Sequence, residues 1–243
     1  MKDLIKELHK KIEKQEKEIN FKNGLISILS HDSKEMFGNF LWLIEALEEK
    51  TISEEDFYKL LQHVKKDARK NLRTIQDSTT WLKTQYGDFK IKPVKILVMD
   101  LFAYLEEKYT TILKEKNIEF FFKGDQNAFL TTDHLLLEYV LDKILNNAIK
   151  YSLPGKEVHL QCVKADGQVV LSVIDFGTGI DEKYLSTIYT YENPVFEGTA
   201  GEKGVGLSLK IVKNFISLMQ GNIDIISSEK GTAVSLFLPN FSE

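Results

Sequence analysis

"EVHLQCVKADGQVVLSVIDFG", Glu157 to Gly177, is the stretch that decides the fold. Asp166-Gly167 is a dipeptide suited to a two-residue turn, so the segment reads as a β-hairpin. Outward from it the period changes. "DHLLLEYVLDKILNNAIKYS" (133–152) repeats apolar residues every three or four positions and reads as helix. "GVGLSLKIVKNFISLMQG" (204–221) does the same and is closed by Gly221. "NIDIISSEKGTAVSLFLP" (222–239) is a second hairpin, turning at Lys230-Gly231. Upstream, "LVMDLFAYLEEKYTTILKEK" (97–116) reads as helix and "NIEFFFKG" (117–124) as strand. Runs of helix and antiparallel hairpin point to an α+β sandwich.

The N-terminal third is helical throughout. With Ile5 at heptad position a, Ile12, Ile19 and Ile26 are also a, and Leu8 and Leu29 are d. β-branched residues at a with leucine at d favour a parallel two-stranded coil. The same frame, carried into "LISILSHDSKEMFGNF" (25–40), puts His31 at f, on the outside of the coil. "TISEED" (51–56) offers a turn with Ser53 as N-cap and Asp56 three residues on. A second helix follows, with Phe57, Leu61, Val64, Ala68, Leu72, Ile75 and Leu82 at helical spacing. Two long helices with a short link make a hairpin, and a homodimer of hairpins is a four-helix bundle. Trp42 and Trp81 are expected in its core. Around "YGDFKIKP" (86–93) the heptad pattern ends at Gly87 and Pro93. The expected organisation is a coiled-coil signalling helix over 1–24, a hairpin over 25–87 and a separate α/β sandwich over 88–243.

The chain of 243 residues is 43% hydrophobic and 28% charged, which suits globular domains rather than a disordered chain. A net charge of −4 gives no basic footprint for nucleic acid. The single cysteine, Cys162, excludes an internal disulfide and suits a reducing compartment. The most apolar window, "ILVMDLFAYL", is too short for a membrane span and is broken by Asp100. The expectation is a cytoplasmic protein with no membrane span of its own.

Three stretches carry candidate chemistry. "DFGTGI" (175–180) ends a strand. Its glycines let the backbone pass close to a flat ligand, and Asp175 would accept hydrogen bonds from an exocyclic amine; taken alone, it is equally an ordinary turn. "GEKGVGLSL" (201–209) precedes a helix whose free N–H groups suit phosphate, though neither a Walker A loop nor a dinucleotide βαβ unit surrounds it. The residues between, Asp181 to Lys203, form a long loop with hinge glycines, the pattern of a lid over a ligand. In "LDKILNNAIKYS" (141–152), Asn147 and Lys150 share a helix face. An amide oxygen there suits Mg²⁺ and the ammonium suits phosphate; a solvated polar face reads equally well.

In this order, the "LDKILNNAIKYS", "DFGTGI" and "GEKGVGLSL" stretches resemble the N, G1 and G2 boxes of the sensor histidine kinases of two-component systems, which share the Bergerat ATP-binding fold. The stretch around His31 resembles their H-box, a histidine followed at once by an acid. The resemblance implies a homodimeric kinase that uses ATP and Mg²⁺ to phosphorylate His31, with Asp32 as base or ring-orienting group. It assigns Mg²⁺ to Asn147, phosphates to Lys150, and adenine to Tyr151 and Asp175. Gly177 and Gly179 would run along the base, Thr232 would line its pocket, and Gly204, Gly206 and Leu207 would lie under the phosphates and lid. The phosphoryl group would pass to an aspartate on a response regulator receiver domain. Imidazole suits the task, because its neutral form is abundant at neutral pH and carries a free lone pair.

The chain departs from the family pattern at three places. Met36 stands where the family has a proline five residues after the histidine. Glu35 stands where a threonine or asparagine positions water, which implies weak or absent phosphatase activity. Lys143 replaces an asparagine four residues before Asn147. Two rival readings share this architecture: a phosphorelay scaffold without catalysis, and a Bergerat ATPase of the chaperone or topoisomerase kind. The second lacks its glutamate four residues before Asn147. A serine kinase of the anti-sigma type does not explain the histidine-bearing hairpin. His9, His63, His134 and His159 read as surface or structural residues.

Overall fold

A computed structural model describes residues 2–85, 89–165, 167–189, 196–202, 206 and 208–240. The chain divides into two units, Met1–Phe89 and Lys90–Glu243.

The first unit is two helices, α1 (Lys2–Glu48) and α2 (Glu54–Gln85). α1 ends with Lys50 in the left-handed conformation (φ 58°) and a Thr51 N–H bond to Ala46 O of 2.9 Å, which satisfies carbonyls of the last turn. Ser53 then caps α2: its hydroxyl accepts from the Asp56 N–H at 3.1 Å and donates to the Asp56 carboxylate at 2.7 Å. Leu25, Leu43 and Ala46 are buried on α1, and Asn71, Thr74, Ser78 and Trp81 on α2. The buried stripe of α2 is therefore mostly small and polar, while Leu72 and Ile75 lie exposed. Hydroxyls can line it because they bond their own helix: Thr74 donates to Lys70 O and Ser78 to Thr74 O. Trp81 is core, but Trp42 is not; it is 55% exposed on α1. Ile5, Ile12, Ile19 and Ile26 are likewise exposed along α1, at 48% to 61%.

The second unit runs β1 (Pro93–Leu97), α3 (Val98–Glu115), β2 (Glu119–Gly124), β3 (Phe129–Asp133), α4 (His134–Tyr151), β4 (Glu157–Ala165), β5 (Gln168–Asp175), α5 (Glu182–Leu185), α6 (Ser208–Leu218), β6 (Asn222–Ser228) and β7 (Gly231–Pro239). A five-stranded sheet has the order β2-β4-β5-β7-β6, and β1 pairs with β3 in a separate antiparallel ribbon. The two expected hairpins are β4–β5 and β6–β7. Asp166 of the first turn lies outside the described residues; Gly167 beside it has φ 76°. The sheet is mixed rather than antiparallel throughout, since β2 runs parallel to β4. The connection between them passes through β3 and α4, the long crossover a parallel pair needs.

α3, α4 and α6 cover one face of the sheet. Val158, Leu160, Val169, Leu171, Val173, Leu236 and Leu238 of the sheet are buried, as are Leu137, Leu141, Ile144, Phe215 and Ile216 of the helices that cover it. Apart from the buried His159, the other face is half-buried or exposed, and β5 alternates strictly. The β1 and β3 strands replace what the sequence presents as the start of one helix and a loop. α6 is Ser208–Leu218, and Gly206 lies before it. It ends on Gln220, left-handed at φ 58°, with Gly221 N–H bonded to Ile216 O at 2.9 Å, so the residue that turns the chain is Gln220 and not Gly221. Gly221 is needed for closeness instead: a Cβ there would stand 2.7 Å from Phe237 O. Among the described residues, no helix is long and apolar enough to cross a membrane.

Candidate functional site

Asp175 closes β5, where β7 places Thr232 opposite it. One carboxylate oxygen of Asp175, Oδ1, accepts from the N–H of Gly177 at 3.0 Å and of Thr232 at 3.2 Å. Both residues of this pair are buried. Burial pushes the Asp175 carboxyl above the ordinary aspartate value, against the two N–H bonds that pull it down. A buried carboxylate with one oxygen committed to the backbone keeps its other oxygen for a ligand donor.

The glycines that follow are required by contact. A Cβ on Gly177 would run into the main-chain oxygen of Tyr151, and one on Gly179 into that of Ser228. Gly179 also has φ 68°. The loop thereby rests between the end of α4, through Thr178 N–H to Tyr151 O at 3.2 Å, and the β6–β7 turn. Ser227 supports it from that turn, accepting from Ile180 N–H at 2.8 Å and lying 2.8 Å from the Thr232 hydroxyl.

α4 supplies the facing wall. Asp133 caps it, accepting from Leu136 N–H at 3.2 Å. Asn147 is half-buried one turn before Lys150 and Tyr151. The Lys150 amine donates to Tyr151 Oη at 3.0 Å and to Phe196 O at 3.1 Å. Burial pushes Lys150 below the ordinary lysine value, with the charges of Glu202 and Glu197 opposing, and raises the Tyr151 phenol. A partly desolvated ammonium beside a half-open amide oxygen suits a phosphate with its cation. Lys143, the departure from the N-box pattern, lies over the Tyr139 ring at 5.1 Å.

Gly206 takes φ 72° before α6. Gly204 and Leu207 lie outside the described residues, as does Lys203. Among the described residues, no cluster of three or more His, Cys, Asp or Glu would hold a metal by itself.

In the other unit, the His31 side chain is 77% exposed and Asp32 20%. Asp32 does reach sideways: its Oδ1 lies 3.4 Å from His31 Nδ1. α2 holds Asp32 from the other side, with Lys70 Nζ 3.6 Å from Oδ2 and the buried Asn71 amide donating to Asp32 O at 2.8 Å. His159, by contrast, is buried and paired with Glu157 at 2.6 Å between the rings of Phe121 and Phe176. Lys70, Asn71, Phe196 and Ser227 gave no sequence signal. Each acts through a main-chain group or across an interface, which local spacing does not encode.

The family described as "Histidine kinase-, DNA gyrase B-, and HSP90-like ATPase" matches residues 132–241. Among curated relatives, the autoinducer 2 sensor kinase/phosphatase LuxQ of Vibrio cholerae is 28% identical over 66% of this chain and 19% of its own. The chain spans between 19% and 50% of the length of the first three curated relatives it matches. Among solved structures, the histidine kinase AdeS of Acinetobacter baumannii has a TM-score of 0.69 at 14% identity, over 87% of this chain and 98% of that one. Histidine kinase ThkA, solved in complex with the response regulator protein TrrA, has a TM-score of 0.67 at 15% identity, over 86% and 60%. These structural likenesses are likenesses of fold.

Proposed function

We propose that this chain, whose residues 132–241 belong to the histidine kinase-, DNA gyrase B- and HSP90-like ATPases, is a sensor histidine kinase that phosphorylates His31 from ATP and passes the phosphoryl group to an aspartate of a response regulator. The observation that carries the reading is Asp175: a buried carboxylate at a strand end, held through one oxygen by Gly177 and Thr232 N–H groups, is built to receive an exocyclic amine such as that of adenine. Tyr151, with its ring beside the Lys150 amine, adds a flat surface for the base, and Gly177 and Gly179 keep the floor free of side chains. The Lys150 ammonium has three N–H donors; Tyr151 Oη and Phe196 O take two, and the third is offered to phosphate. Gly206 is assigned to the phosphate side by the resemblance, as are Gly204 and Leu207, which lie outside the described residues.

Asn147 fits Mg²⁺ by its hard, half-open amide oxygen; when bound with the nucleotide, the ion offsets phosphate charge. His31 supplies the nucleophile. In the tautomer whose Nδ1–H faces Asp32 Oδ1, the lone pair lies on Nε2. Nε2 bonds to the γ-phosphorus as the bond to the β-phosphate oxygen breaks, ADP leaves, and Asp32 offsets the positive charge gathering on the ring. Lys70 holds Asp32 within reach of that ring.

In this reading residues 1–24 are the signalling coil, 25–87 the dimerisation and phosphotransfer hairpin, and 88–243 the catalytic domain. The exposed isoleucines of α1, with Phe37, Leu41, Trp42, Leu72 and Ile75, supply the apolar surface a homodimeric four-helix bundle would bury. The test is incubation with γ-labelled ATP and Mg²⁺. Acid-labile label is expected on the wild-type chain and none on His31→Ala, which should keep its ATP affinity. ATP turnover that survives His31→Ala would mean a hydrolytic ATPase instead.

A further inference from the structure

Lys116 caps the C-terminus of α3 and is 8% exposed, yet nothing in the reaction above uses it. Its ammonium donates to Ile149 O at 2.8 Å, Lys150 O at 3.0 Å and the Thr199 hydroxyl at 2.7 Å, and lies 3.1 Å from Glu202 Oε1. These acceptors come from two places, the last turn of α4 and the turn 198–202. That turn is closed on itself by Gly198 N–H to Glu202 O (2.8 Å), Gly201 N–H to Gly198 O (3.0 Å) and Ala200 N–H to Glu202 Oε2 (2.8 Å). It is joined to α4 by Thr199, whose N–H meets Lys150 O at 3.0 Å and whose hydroxyl meets Ser152 O at 2.6 Å.

We propose that Lys116 is a positioning residue for nucleotide binding, anchoring the segment Phe196–Glu202 to the end of α4 and so setting where Lys150 and Tyr151 point. The proposal rests on the functional reading above. A helix C-terminus presents unpaired carbonyls and partial negative charge. Glu202 brings a full negative charge to the same spot, so the turn cannot rest there unless a cation stands between them. Lys116 is that cation. The grip falls on Lys150 at both ends: Lys116 and Thr199 hold its main-chain oxygen, while Phe196 O, two residues before the turn, meets its amine. Tyr151 Oη lies 3.2 Å from the same Phe196 O. Release of the turn therefore frees both ligand-facing side chains together.

The test compares the full chain with Lys116→Met, Lys116→Arg and the double variant Lys116→Met/Glu202→Met. ATP affinity is measured by calorimetry with Mg²⁺, and exchange of the 198–201 amides by mass spectrometry. Lys116→Met is expected to bind ATP at least tenfold more weakly and to lose protection at 198–201, while exchange in the β4–β5 hairpin stays unchanged. Lys116→Arg should restore most of both. The double variant leaves no Glu202 carboxylate without its Lys116 partner beside the α4 carbonyls, yet should still bind weakly, which separates positioning from folding. A double variant and a Lys116→Met that both bind within twofold of wild type would overturn the positioning role alone. A wild-type chain that does not bind ATP would overturn the functional reading beneath it.

Discussion

Asp175→Asn separates what the site needs for folding from what it needs for ligand. The asparagine keeps an oxygen where Oδ1 accepts from Gly177 and Thr232 N–H groups, so the backbone of the loop stays satisfied. The charge, which burial disfavours, is gone. Stability should therefore hold or rise. The sign with pH follows from the raised carboxyl: the folded state binds this proton more tightly than the unfolded chain does. Its favourable contribution is full below the ordinary aspartate value of 3.8 and is lost as pH rises through the higher folded value. The variant's advantage is then largest at neutral pH and shrinks as acid protonates the wild-type carboxyl. Ligand binding moves the other way. The second oxygen becomes an NH₂ group, which opposes the exocyclic amine it should receive. A hydrogen bond to a charged acceptor is worth about 1.5–3 kcal/mol, or roughly tenfold to 150-fold in affinity. Urea unfolding from pH 4 to 7, paired with ATP calorimetry, reads both. Unchanged ATP affinity in a stably folded variant would refute the role given to Asp175, and a stability loss of several kcal/mol would refute the hydrogen-bond assignment.

Three further outcomes are expected. Because burial holds Lys150 below its ordinary value of 10.5 and phosphate would restore the charge, ATP binding should take up a proton as pH rises; affinity is flat at lower pH and then falls by up to about tenfold per pH unit, beginning below 10.5, and Lys150→Met should lack that slope. Gly179→Ala forces a side chain into the left-handed region and onto Ser228 O, together costing about 2–5 kcal/mol of stability by urea unfolding; a loss under 1 kcal/mol would show that the loop yields. Gln220→Gly relieves the left-handed turn after α6 and should stabilise by about 0.5–1 kcal/mol, visible as a raised thermal midpoint.

What was legible in the sequence was what local pattern encodes. β4–β5 and β6–β7 alternate with period two around glycine turns, so both hairpins could be read directly. β1 could not. It runs into α3 at Val98 with no punctuation, and Leu97 caps the helix with no side-chain hydrogen bond, so strand and helix form one apolar run. β2 reads as a strand, but its parallel pairing with β4 is a matter of crossover and leaves no trace in six residues. The same division holds in the site. Asp175, Gly177 and Gly179 announce themselves by spacing along one chain segment. Lys116 acts on oxygens 33 to 86 residues away, two of them main-chain, so neither its identity nor its neighbours mark it.

The α2 stripe marks the limit of periodicity more sharply. Leu72 and Ile75 have the spacing of a core face, yet Asn71 and Thr74 beside them are the buried pair. Helical spacing says that a face exists; it does not say which of two faces meets the partner helix in the same chain. Here the buried stripe of Leu25, Leu43, Ala46 and Trp81 is joined by the Asn71 amide bound to Asp32 O, a polar contact that satisfies a buried donor in the observed rotation of α1 against α2. That rotation turns Leu25 inward and leaves Ile26 and His31 outward. Replacing Asn71 with leucine would remove a hydrogen bond that accompanies the arrangement in which both the isoleucines and the imidazole face outward.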